Sequence, residues 1–91
     1  MRAEDIETLA DRPAWTVRAG VATYEPQPGG WSARVTRTRV AGHLYEGWHI
    51  AIRDPSGVAR HVLTAAMLGE VIRLAEGHVR GRLSREGAGS D

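Results

Sequence analysis

Four histidines are the side chains of this chain best suited to bind a metal or transfer a proton: His43, His49, His61 and His78. Their spacing matches no metal motif, because His-Glu-x-x-His is absent and the chain has no cysteine. On one strand, His43 and His49 would lie about 20 Å apart at ~3.3 Å per residue. The spacing therefore predicts ordinary surface histidines, with no metal and no cofactor.

Covalent catalysis finds no matching motif either. None of the serines lies in a Gly-x-Ser-x-Gly elbow, and Gly29-Gly30 joins two predicted strands, where a phosphate-binding loop would join a strand to a helix. Acid–base cleavage of RNA stays open, since small bacterial toxins display Arg, His and Tyr on an open sheet. Here those groups would be Tyr45, His49, Arg53 and Arg34. We expect no enzymatic activity and hold ribonuclease chemistry as a third alternative.

Arginine supplies all 12 basic side chains, while lysine, asparagine and phenylalanine are absent. This bias is typical of GC-rich codon usage, so it says little by itself about nucleic acid. Residues 31–53, however, hold four arginines against Glu46, a formal charge of +3. Arginines on strands contact guanine edges or phosphates. The candidate residues for binding nucleic acid or a protein partner are Arg34, Arg37, Arg39, Tyr45, His49 and Arg53.

Alternating apolar residues predict the strands that must position these side chains. Residues 15–24 predict one strand with Trp15, Val17, Ala19 and Val21 on its buried face. Further strands are expected over 31–40, 43–53 and Val58–Leu63, the last at an edge.

Within these strands, the pattern assigns side chains to faces. From residues 43–53 it points Leu44, Trp48, Ile50 and Ile52 inward. Arg37 and Arg39 fall on the apolar side of their strand, which requires either a bulge or a strand end that protrudes past the core.

Two helices flank the strands. Ile6, Leu9 and Ala10 predict a short amphipathic helix within residues 1–14 that ends before Pro13. Thr64 is a suitable N-cap for a long helix that ends near residues 81–83 and carries Glu76 on its polar side. Its apolar stripe is Leu68, Val71, Ile72, Ala75, Val79 and Leu83. Residues 84–91 are Gly-rich and polar, which predicts a disordered tail.

The elements combine into one α+β domain over residues 1–83, since 91 residues leave no room for a second. We predict an antiparallel sheet of three to four strands with both helices on one face. The open face would carry Arg18, Arg34, Thr36, Tyr45, His49 and Arg53. The lack of a long apolar run and of a signal peptide at the first residues predicts a cytoplasmic protein without membrane contact.

Self-association is expected because the core is thin. Leu, Ile, Val and Phe together number 18 of the 91 residues. One helix is too small to enclose Trp15, Trp31 and Trp48 completely, so aromatic rings at a rim would anchor a homodimer interface. The alternative is that all three rings fill the core of a monomer.

Residues 31–80 resemble the BldB-like family of small actinobacterial proteins. The similar elements are Trp31-Ser32, Ile52-Arg53-Asp54, the strand Val58–Leu63, Thr64 and the helix over 65–80. Trp31 is followed by Ser32-Ala33-Arg34, where the family has Trp-Lys-Ser-Ser. The resemblance implies a small dimeric regulator that works beside a helix-turn-helix DNA-binding protein.

These observations favour a non-enzymatic regulatory or protein-interaction module, dimeric, acting with a DNA-binding or other protein partner. Direct DNA binding through the arginine-bearing open face is the first alternative. A ribonuclease-like toxin is the second.

Overall fold

The computed structural model describes residues 6–39 and 46–89, with side chains described for 6–38 and 47–84. It confirms the α+β class. The elements in chain order are a 3₁₀ helix (Ile6–Asp11), β1 (Trp15–Arg18), β2 (Val21–Tyr24), β3 (Ser32–Arg39), β4 (Glu46–Arg53), β5 (Ala59–Ala65) and α1 (Leu68–Gly89). Each strand pairs antiparallel with the next, so the sheet is a meander of order β1-β2-β3-β4-β5. No helix of the described residues is long and apolar enough to cross a bilayer.

The single strand predicted over residues 15–24 is wrong, because the chain reverses at Ala19 and Gly20. Both residues have positive φ, 52° and 79°, as a two-residue type I′ hairpin turn requires. Ala-Gly lacks the Asn-Gly or Asp-Gly signature of such turns, so the reversal left no clear mark. The turn raises the strand count to five and moves Val21 off the face that carries Trp15.

The two central strands keep an unbroken register from Ser32 opposite Arg53 to Arg39 opposite Glu46. No bulge therefore explains Arg37 on the apolar side. Instead the strand end protrudes past the core, and the exposed Arg37 guanidinium lies 4.4 Å from the centre of the Trp48 ring. This is a cation–π contact that covers the edge of the core.

The turn Asp54-Pro55-Ser56-Gly57 forms as predicted, with the Gly57 N–H donating to the Asp54 carbonyl at 2.8 Å. Hydrogen bonds from Ser56, Arg60 and the Val58 N–H hold the pKa of the Asp54 carboxyl well below its ordinary value. The following strand is an edge strand, as expected.

The N-cap prediction at Thr64 is wrong, because this residue still pairs with His49 in the sheet. The helix begins at Leu68, and the Met67 carbonyl accepts the first helical N–H groups, from Glu70 and Val71. It ends at Gly89, past the predicted end near 81–83, so it includes residues 84–89 of the predicted tail.

The core lies between one face of the sheet and α1, with the 3₁₀ helix closing the β1 side. Ile50 and Ile52 of β4 are fully buried there together with Val71 and Val79 of the helix. Trp15, Trp31 and Trp48 are only 4%, 8% and 2% exposed. The 3₁₀ helix and α1 enclose them together, so the prediction of aromatic rings at a rim that anchor an interface is wrong, and the alternative that all three rings fill the core is correct.

Glu76 is buried, not on a solvent-facing side of α1 as predicted. Its carboxylate accepts the Trp15 indole N–H at 2.7 Å and two donors of Arg12, the nearer at 3.1 Å. Arg80 is 3.8 Å away and donates to the Tyr24 hydroxyl at 3.1 Å, and these two neighbours raise its pKa. This network ties the N-terminal segment and the first hairpin to the helix.

Candidate functional site

The face of the sheet opposite α1 is not covered by any other element of the described chain. Because strand residues alternate between faces, the pairing register assigns its side chains directly. We call this the open face, and its described residues are Thr16, Arg18, Val21, Thr23, Ser32, Arg34, Thr36, Thr38, Gly47, His49, Ala51, Arg53, Ala59, Val62 and Thr64.

One broad groove of about 750 Å³ runs along the β1 side of the open face. Its floor holds Thr16, Val21 and Thr23, and its remaining walls wrap around β1 toward Trp15. Arg18, Arg34 and Arg53 also line it, and they come from β1, β3 and β4 respectively. Three cations from three strands therefore share one concave surface.

The register places these arginines on a diagonal across the sheet. Arg34 pairs with Ala51, and Arg53 lies two residues farther along β4. In an ideal sheet, with strands ~4.8 Å apart and residues ~3.3 Å apart, the Cα atoms of Arg34 and Arg53 are about 8 Å apart. Arg18 lies about 12 Å from Arg34 on the opposite side, so the diagonal spans about 20 Å. This length suits an extended ligand.

Acidic side chains are missing from the described open face. Of the described acidic side chains, Glu7 and Asp11 lie in the 3₁₀ helix, Glu25 in the loop after β2, Asp54 in the turn after β4, and Glu70 and Glu76 on α1. Asp54 lies next to the end of this face, and its carboxylate accepts from Arg60 at 2.7 Å. Arg18 and Arg34 are exposed and form no ion pair within residues 6–38 and 47–84. Arg53 donates to the Gly57 carbonyl at 3.0 and 3.1 Å, which holds its guanidinium in place and leaves other N–H donors available.

The structure divides the site residues predicted from sequence. Arg34, His49 and Arg53 share the open face, as expected. Arg37 does not, since it covers Trp48 on the other side of the sheet. The Arg39 side chain and all of Tyr45 lie outside the described residues. The sequence predicts Arg18 on the open face but outside the site, and the structure adds it to the groove, because the hairpin at Ala19-Gly20 brings β1 to the groove's border.

We next ask whether the described part of this face brings together titratable side chains or metal ligands. His49 lies between Thr36 and Thr64 and makes no hydrogen bond to a second titratable side chain there. His61 and His78 do meet, with ring centres 5.1 Å apart, but on the helix side of β5. No group of three or more potential metal ligands forms among the described residues. The open face offers fixed positive charge for binding.

Comparison with protein-family models, with curated proteins and with solved structures finds no match for this chain. The resemblance of residues 31–80 to the BldB-like family therefore stays a prediction.

Proposed function

We propose that this chain is a non-enzymatic interaction module whose open face binds an acidic, extended segment of a protein partner. The observation that carries this proposal is the diagonal of Arg18, Arg34 and Arg53 along one groove, with no acidic side chain on the described open face. Guanidinium groups without a counter-ion attract carboxylates, and a free guanidinium such as that of Arg34 offers a planar pair of donors to one carboxylate.

The spacing of the arginines fits such a segment. Carboxylates two residues apart on an extended chain are about 6.6 Å apart, close to the ~8 Å between Arg34 and Arg53. Between the arginines the surface consists of Thr23, Ala51 and Val21, which are small or β-branched and half-buried. A polypeptide backbone can lie flat against side chains of this size. A regulatory role beside a helix-turn-helix protein, which the BldB-like resemblance implies, would place the acidic segment on that protein.

Single-stranded nucleic acid fits the groove less well. Proteins that bind single strands stack bases on aromatic rings, and all three tryptophans here lie in the core. The whole chain also has a formal net charge of only +1. Duplex DNA remains the second candidate, because arginines on an exposed sheet also contact phosphates and because the diagonal carries three of them.

Fluorescence anisotropy with two probes tests the proposal. The probes are a labelled peptide of alternating glutamate and serine and a labelled random-sequence DNA duplex. We expect the peptide to bind more tightly than the duplex at physiological salt. Arg34→Gln should weaken peptide binding about five- to tenfold, which corresponds to one charge-assisted contact of roughly 1–1.4 kcal/mol.

Arg73→Gln is the matched control, since it removes the same charge from the exposed side of α1. It should change the affinity less than twofold. Equal losses for both variants would mean that net charge alone attracts the peptide and would contradict a site in the groove. Tighter binding of the duplex, with a steep salt dependence that Arg34→Gln reduces, would favour the second candidate.

A further inference from the structure

The two edges of the sheet are protected to very different degrees. β1 has four residues and is flanked by the 3₁₀ helix. β5 has seven residues, and Ala59–Val62 and Thr64 are exposed. An edge strand presents a row of unpaired N–H and C=O groups, so a long bare one is a template for another strand.

The large exposed hydrophobic residues of the described chain gather at this same edge. They are Val58, Val62 and Met67, at 49%, 52% and 60% exposed. One lies within β5, and the other two lie directly before and soon after it. The three residues are spaced along the β5 edge, one within the strand and one near each end, so a second strand paired there would contact them along its whole length.

The charged side chains of β5 should not repel a second strand that pairs with this edge. Arg60, its one permanently charged residue, is held by its own Asp54 at 2.7 Å. The irregular pairing opposite Ile52 and Arg53 disturbs only the start of the strand. The regular stretch is therefore His61–Ala65, and its midpoint is Leu63.

We propose that β5 pairs antiparallel with β5 of a second copy, about a two-fold axis at Leu63. In this register Leu63 faces Leu63, Val62 faces Thr64, and His61 faces Ala65 of the other copy. Beyond the regular stretch His61–Ala65, Ala59 of one copy comes near Met67 of the other, so Val58 and Met67 lie at the two ends of the seam. No like charges oppose each other.

This pairing joins two five-stranded sheets into one of ten strands. Directly opposed residues share a face in an antiparallel pair, so both open faces lie on the same side of the joined sheet. The two arginine diagonals then form one surface. Five paired residues make a seam of only about 17 Å, at the low end of specific interfaces, so we expect a dissociation constant in the micromolar range.

Sedimentation velocity across concentrations from one to several hundred micromolar tests the pairing. We expect the wild-type chain to shift from monomer to dimer in this range. Val62→Lys should raise the dissociation constant at least tenfold, because lysine on an exposed edge opposes pairing. Thr16→Lys on β1 is the matched control and should leave it unchanged. A wild-type chain that stays monomeric throughout, or equal effects of both variants, would overturn the proposal.

The register has its own test, since the chain contains no cysteine. Leu63→Cys should form a disulfide-linked dimer under mild oxidation, because the two Cβ atoms of a directly opposed pair lie about 4.5–5.5 Å apart. Thr16→Cys should not cross-link above background. Cross-linking at both positions to the same extent would contradict the β5 seam. The peptide titration of Leu63→Cys, reduced and cross-linked, separates the two proposals, because this substitution leaves the charge of the open face unchanged and the groove lies on the β1 side, so monomer and dimer should bind equally well.

Discussion

The two faces of this sheet are made from the same strands, yet their charged side chains differ in whether they have partners within the fold. On the covered face, Glu76 is buried among the donors of Arg12 and Trp15, and Arg37 lies over Trp48. On the open face, Arg18 and Arg34 meet no counter-ion within the described residues. The covered face satisfies these charged groups with contacts inside the fold, whereas the described open face provides no such contact for Arg18 and Arg34. Stability and binding should therefore respond to different substitutions.

The largest effect should come from Trp48→Ala, because the ring is buried between the sheet and α1. We expect a loss of about 3–5 kcal/mol in the free energy of unfolding, comparable to the whole stability of a small domain. The neighbouring His49→Ala, on the open face, should cost about 0.5 kcal/mol or less. Urea unfolding followed by circular dichroism measures both. Similar losses would contradict the assignment of the two faces.

Glu76→Gln should have the next largest effect. The amide keeps the shape and still accepts from Trp15, but it leaves Arg12 without its counter-ion. Because Arg12 is partly exposed, we expect a loss of about 1–3 kcal/mol. Glu70→Gln is the control on the same helix, where the carboxylate is 44% exposed and 3.9 Å from Arg73. It should change stability by about 0.5 kcal/mol or less, and an equal loss would mean that burial of Glu76 has no energetic weight.

Acid should weaken the turn that aligns β4 with β5 by a smaller amount. The pKa of Asp54 is lowered in the folded state, so its contribution is present above the unfolded pKa of about 3.9 and is lost as the pH falls below it. The urea midpoint of the wild type should therefore decline between about pH 4 and pH 2. Asp54→Asn should be less stable at neutral pH and should show a flatter decline. Parallel pH curves for both chains would contradict this assignment.

The smallest effect on stability should come from Arg34→Gln. The side chain is exposed and has no partner within the described residues, so we expect a change within about 0.5 kcal/mol. The same variant should lose peptide affinity in the anisotropy titration. A loss of stability similar to that of Glu76→Gln would show that Arg34 serves the fold, and the contrast between the faces would fail.

The sequence pattern predicts the fold correctly where the alternation of apolar residues along a strand agrees with their burial in the folded chain. The alternation through Trp48, Ile50 and Ile52 predicted the inward face of β4 correctly, and Asp54–Gly57 predicted its turn. It failed where the decisive contact is distant in sequence. Glu76 is buried only because Arg12 and Trp15, more than 60 residues away, bring their donors to it.

Backbone conformation is the second reason why part of the structure could not be predicted from the sequence. Nothing in the side chains of Ala19-Gly20 demands a positive φ at Ala19, so the alternating pattern predicts one strand where the chain forms a hairpin. For the same reason the groove could not be predicted from the sequence, because β1 forms one of its walls only when the chain reverses at Ala19-Gly20. Arg34 and Arg53 were found from their strand positions alone, whereas the part of Arg18 needed the structure.

The strand order of the meander matches the order in which the strands are synthesised. Every strand pairs with the one made just before it, so the sheet can grow hairpin by hairpin without waiting for distant partners. The helix is synthesised last, and until it emerges Ile50 and Trp48 have nothing to cover them. A nascent chain stalled before Leu68 should therefore be prone to aggregation, because two apolar surfaces are exposed. These surfaces are the uncovered core side of the sheet and the β5 edge.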